Sequence, residues 1–120
     1  MTNTGKALYT FFSGFGLPAY AEENVPSGTE LPYITFELAQ PDWRAPGALR
    51  ARVWYRKSDY VDMSAKLDAI SAAIGEGTSV KTDGGYIELQ KENNFIQFQA
   101  TDEPTLKVAY LSMIIHAHTT

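Results

Sequence analysis

A chain of 120 residues, 44% hydrophobic, 20% charged and without cysteine, has the make-up of one globular domain (1–120) and excludes disulfides, thiol catalysis and thiolate metal sites. Ten basic against fourteen acidic side chains leave a formal charge of −4, which argues against nonspecific nucleic-acid binding by the monomer. Met1 to Lys6 has one basic residue and no apolar run, and no stretch approaches the roughly 20 apolar residues of a membrane helix, so neither a signal peptide nor a membrane span is expected.

The first predicted element is a helix. Asn3 or Thr4 serves as its cap, Leu8, Phe11, Phe12 and Phe15 recur at helical spacing, and Gly14 and Gly16 end it. Leu17 to Pro32 holds Pro18, Pro26, Gly28 and Pro32 and reads as an extended, irregular connection. A loop of that length in a small domain is often functional or ordered by a partner. Tyr33 to Ala39 alternates as a strand, with Ile34, Phe36 and Leu38 on one face. Gln40 to Ala48 is a loop or wide hairpin, and Leu49 to Lys57 is the second strand.

Ser58 or Asp59 caps a second helix, along which Tyr60, Met63, Leu67, Ile70 and Ile74 form the clearest amphipathic stripe. Gly75 and Gly77 stop it. Asp83-Gly84-Gly85 marks a turn. Tyr86 to Lys91 and Phe95 to Ala100 are predicted as a hairpin across Glu92, Asn93 and Asn94. Thr105 to Thr119 reads as a long strand, apolar on both faces near Leu111 to Ile115 and so central or covered on both sides. The expected class is α+β: an antiparallel or mixed sheet of about five strands, two helices packed on one face, in the order α-β-β-α-β-β-β.

No pattern for chemistry is complete. His116 and His118 share a strand face, but no further ligands stand beside them in sequence, so no metal is expected. Gly14-Phe15-Gly16 follows a helix and lacks the third glycine of a dinucleotide loop, and Gly75-Glu76-Gly77 reads as a helix cap. No Gly-x-Ser-x-Gly elbow is present. Glu22 and Glu23 are adjacent loop acids with no sign of contrasting environments. The expectation is a protein that is not an enzyme and needs no cofactor.

The second strand carries the most informative polar feature. Leu49, Ala51, Val53 and Tyr55 share one face; Arg50, Arg52, Trp54 and Arg56 share the other. Three readings stay open. The face is a solvated surface whose guanidinium groups pair with carboxylates such as Glu37. It is a contact surface, since Arg and Trp serve as interface anchors. Or it is a phosphate-facing stripe, which requires several copies of so acidic a chain. Trp43, in a Pro-rich loop, either tucks over its own core or inserts into a neighbouring subunit.

The order of motifs resembles the small tail-completion or tail-terminator proteins of long-tailed bacteriophages and prophages. The residues that carry it are Ala7-Leu8-Tyr9-Thr10-Phe11-Phe12, Gly16-Leu17-Pro18-Ala19-Tyr20, Val25-Pro26, and Leu31-Pro32-Tyr33-Ile34-Thr35-Phe36. Val53-Trp54-Tyr55-Arg56 then runs into a capped helix ending at Gly75, followed by Asp83-Gly84-Gly85 and the long final strand. The resemblance spans nearly the whole chain.

It implies a virion protein, assembled in the host cytoplasm into a ring, typically a hexamer. Such a ring caps the tail tube, stops its growth and docks the head through connector proteins, and viral DNA passes through its lumen without specific binding. A ring needs a heterologous interface. Arg50, Arg52, Trp54, Arg56 and Trp43 are the candidates for the subunit interface or the lumen. The other readings are a head–tail connector or stopper and, from another class, a small ligand-binding module with an aromatic pocket around Tyr20, Tyr33 and Trp43.

Overall fold

Leu8 and Phe12 stand one helical turn apart, and in α1 (Asn3–Ser13) both are fully buried, with Phe11 and Phe15 packed at the margin of the core. The structure, a computed structural model, describes residues 3–22, 25–39, 47–56, 60–82, 84–99 and 101–119. The remaining elements are β1 (Ala19–Ala21), β2 (Tyr33–Ala39), β3 (Gly47–Arg56), α2 (Val61–Ile74), β4 (Thr78–Thr82), β5 (Gly85–Gln99) and β6 (Leu106–Thr119). The class is α+β.

The six strands form one mixed sheet in the order β1-β2-β3-β6-β5-β4. All neighbours are antiparallel except β1 and β2. Helix α1 touches both edge strands, β1 and β4, so the sheet curls around it. The alternation of β3 fixes which face turns inward. Leu49, Ala51 and Val53 lie opposite Met113, Leu111 and Ala109 of β6, and all six are fully buried with Ile34, Phe36, Ile87 and Leu89. The α2 stripe of Met63, Leu67, Ile70 and Ile74 closes the same cluster, and Phe12 of α1 stacks on Phe36 at 5.6 Å. Both helices thus cover one face.

Several local expectations change. The sheet has six strands rather than about five. Strand β1 falls inside the predicted loop of Leu17 to Pro32, and three residues are too few to show a two-residue period. Strand β4, Thr78–Thr82, carries only one large apolar residue, Val80, and was equally silent. The predicted hairpin across Glu92 to Asn94 is absent. Both of its arms pair with β6, which is long enough to take them in succession, and the polar residues form an irregularity between Lys91 and Ile96.

The helix caps also differ. Asn3 and Thr4 already belong to α1, and Ser58 and Asp59 lie outside the described residues. The residue ahead of α2 is Tyr60, whose side chain makes no capping bond. The stops agree with expectation: Gly75 donates its N–H to the Ser71 carbonyl at 2.9 Å with φ of 55°, a left-handed value that favours glycine. Strand β6 is central, between β3 and β5, as its apolar run implies.

Tyr55 ends the inner row of β3 and is 5% exposed. Burial of its phenol, with the nearby Asp62 carboxylate, raises its pKa above the ordinary tyrosine value. A raised folded pKa means the folded chain keeps this proton longer than the unfolded one, so the contribution is whole below the unfolded value and is lost as pH climbs past it. Stability should therefore fall above about pH 10, and Tyr55→Phe should flatten that part of a denaturation-versus-pH profile.

Candidate functional site: the open face of the sheet

The face turned away from the helices is laid out by strand register. One row runs Tyr20, Thr35, Arg52, Tyr110 and Gln97 across β1, β2, β3, β6 and β5; the next runs Tyr33, Trp54, Val108 and Gln99. Alternation places Arg50 and Arg56 on the same face, as the sequence implies. The stripe is therefore one surface, but its members differ in environment.

Arg52 is held from two sides. Its guanidinium pairs with Glu22, at the end of β1, and lies over the Tyr110 ring at 4.7 Å. Burial works against its charge, yet Tyr110 and Glu22 outweigh that desolvation and leave its pKa above the ordinary arginine value. Its Nε is buried with no hydrogen-bond partner among the described residues. Arg56 pairs with Glu103 at 3.0 Å, but both side chains are more than half exposed, and such pairs contribute at most about 1 kcal/mol. Arg50 is exposed and has no ion pair among the described residues. Glu37, the carboxylate expected to pair with the stripe, lies opposite Arg50 in register, yet the described ion pairs go to Glu22 and Glu103 instead.

Trp54 is half-buried and donates its indole N–H to the Thr35 hydroxyl at 3.1 Å. Thr35 is the one buried polar side chain among the described residues. Trp54→Phe keeps most of the ring packing but leaves that hydroxyl without its donor, which should cost about 1–3 kcal/mol. Adding Thr35→Val should restore most of the loss, because removing both partners removes the unmet group. Chemical denaturation of the two variants checks this.

Tyr20 and Tyr33 meet edge-on at 6.0 Å, and Tyr33 meets Trp54 at 6.1 Å. Tyr20 and Tyr33, two of the three residues expected around an aromatic pocket, thus meet each other and Trp54. Trp43 lies outside the described residues. Two grooves cross this face. One, of about 710 Å³, lies between Arg50 and Arg52 and the Asn93–Asn94 rise of β5, floored by Tyr110 and Ser112. The other, of about 560 Å³, runs from Trp54 to Asp102 and Glu103. Arg52 and Tyr110 border both.

His116 and His118 share this face farther along β6. His118 stacks on Tyr86 at 4.6 Å, and its Nε2 comes within 3.1 Å of Glu88 Oε1, close enough for an ion pair but outside hydrogen-bond geometry. No set of three or more His, Asp or Glu among the described residues could hold a metal ion. No described helix is long and apolar enough to cross a membrane.

The described residues of this surface thus offer charge and hydrogen bonds. The hydroxyl of Thr35 is taken by Trp54, and Tyr110 is covered by Arg52. Sequence reasoning missed Glu22 and Tyr110 as partners of Arg52. Both come from other strands, and only the register brings them to it. No protein-family model matches this chain, and no curated protein matches it either.

Proposed function

We propose that the chain is a structural assembly protein of a long-tailed phage or prophage. It forms a ring that caps the tail tube, ends its growth and presents the docking surface for the head. No covalent chemistry and no cofactor enter this role. Its partners are further copies of itself, the tail tube protein and the head–tail connector proteins, with DNA passing through and not specifically bound.

The observation that carries the reading is the open sheet face. Arg52 and Trp54 are ordered there by Glu22, Tyr110 and Thr35, and Arg50 beside them lacks an ion pair among the described residues. An ordered cation-bearing surface flanked by an arginine with no ion pair among the described residues suits a carboxylate from a neighbouring subunit, because an interface anchor binds best when already ordered. The motif order from Ala7 to the last strand supplies the phage context.

Arg50→Glu tests the contact without disturbing the fold, since Arg50 is exposed, whereas Arg52→Glu would face Glu22 within the subunit. Negative-stain electron microscopy of the protein mixed with polymerising tail tubes should show tubes capped at one end and arrested in length. Arg50→Glu should cap at least tenfold less well. Tubes that grow unchanged beside the unaltered protein would overturn the reading and direct attention to portal-bearing capsids, the expected partner of a head–tail stopper.

A further inference from the structure

Strand β5 has a bare edge. One side of it pairs with β6 as far as Gln99, but β4 reaches only to Leu89, and no described strand pairs with the other side from Gln90 to Gln99. The outer edges of β1 and β4 are three and five residues long, and both strands adjoin α1. Covering an edge with a helix is one way proteins blunt it. Along the free side of β5 no described strand supplies a cover, and Gln97, Phe98 and Gln99 are exposed.

The sequence of this edge makes the exposure consequential. Asn93-Asn94-Phe95-Ile96-Gln97-Phe98-Gln99 has no charge, no proline and no glycine. Such a segment is a strong template for strand pairing. The irregularity near Glu92 interrupts the strand upstream, but Ile96 to Gln99 forms a regular ladder with β6. Three of the four exposed large hydrophobic residues among the described ones belong to the same region. Phe98 is 53% exposed and meets Tyr60 edge-on at 5.2 Å, and Val61 follows Tyr60 in the chain.

We propose that Phe95–Gln99 is a self-association edge, on which the same segment of a second copy of this chain pairs antiparallel about a two-fold axis at Gln97. Another bare edge can satisfy a strand edge along its whole length. Among the described residues, 37–39 of β2 and 116–119 of β6 also lack a strand on one side, but 90–99 of β5 is the longest such stretch, and 93–99 within it carries no charge. Centring on Gln97 sets Ile96 opposite the second copy's Phe98. Both residues turn to the helix-covered face, since they lie opposite Leu111 and Ala109 of β6. The apolar row beside Tyr60 then continues across the junction, and no like charges meet. A shift of one residue would set Gln97 against Phe98 and mix polar with apolar on both faces. Gln97 closes the open-face row that holds Arg52, but the pairing is made by the backbone edge of β5, does not use Arg50 and does not depend on ring formation.

The chain has no cysteine, so one introduced thiol reports the register cleanly. In an antiparallel pair, directly opposite Cα atoms are about 4.5–5.5 Å apart, within the range a disulfide spans. Gln97→Cys in the full chain should therefore cross-link to a covalent dimer under mild oxidation. Gln99 is exposed as well, but the two copies of Gln99→Cys would be offset by about 14 Å at ~3.4 Å per residue, and it should cross-link at least tenfold less. Phe98→Lys added to Gln97→Cys should bring cross-linking down to the Gln99→Cys level. Equal cross-linking of the two single variants, or none from Gln97→Cys, overturns the proposal.

Hydrogen exchange of the unaltered chain gives a second readout. Alternate amides in Phe95–Gln99 should gain protection as concentration rises a hundredfold; unchanged exchange there overturns the pairing. The tail-tube capping assay is independent of both results, so failure of this edge and failure of the ring role are told apart.

Discussion

Ile70→Asp is expected to abolish the cooperative unfolding transition of this protein. Ile70 is fully buried in the α2 stripe between Leu67 and Ile74, in the cluster that joins the helix to the inner face of the sheet. An unpaired carboxylate there carries a desolvation penalty of several kcal/mol, added to about 2–5 kcal/mol for the lost aliphatic packing. Domains of this size have only about 5–15 kcal/mol in total. The cations nearest α2 in the bonding pattern are committed elsewhere: Lys66 donates to the Phe15 carbonyl, and Lys91 donates to the Ser71 hydroxyl at 2.8 Å. Circular dichroism during heating checks the outcome. A sharp transition near that of the unaltered chain would show that α2 presents another face. Ile70→Val, as a control, should cost only about 0.5–1.5 kcal/mol.

Phe12→Ala should be the most damaging single truncation in α1. The ring is fully buried, stacks on Phe36 of β2 and meets Phe11 edge-on at 5.2 Å. Removing it opens a cavity where the helix plugs the curled sheet, and the expected loss is about 3–5 kcal/mol. For a domain near this size each kcal/mol moves the midpoint by about 4–8 °C, so a fall of more than 10 °C is expected. Phe11→Ala should cost clearly less, because that side chain is only partly buried. Equal losses at the two positions would mean that α1 is rotated from the orientation described here.

The arginine stripe illustrates how far sequence reaches. Alternation along one strand is enough to put Arg50, Arg52, Trp54 and Arg56 on one face, because side chains reverse at each residue. It cannot say which of them is constrained. Arg52 is tied down by residues 30 positions upstream and 58 downstream, brought together by strands β1 and β6. Arg56 meets Glu103, and Arg50 meets no described carboxylate. The aromatic cluster behaves alike: Tyr20 and Tyr33 were legible as neighbours, while Trp54 joined them through the β2–β3 register.

By itself the sequence determined the α+β class, the inward faces of both helices and of β2 and β3, the glycine stop at Gly75 and the central place of the last strand. Each of these follows from a local period or from a single residue's backbone freedom, and such signals need no knowledge of distant partners. Tertiary structure alone decided the rest. It recruited Ala19–Ala21 and Thr78–Thr82 as edge strands, turned the expected hairpin into one long strand and left the β5 edge bare. These features depend on which strand lies alongside which. Pairing is a long-range choice set by the length of β6 and the curl of the sheet around α1, and short segments without a clear period adopt whatever conformation that choice offers.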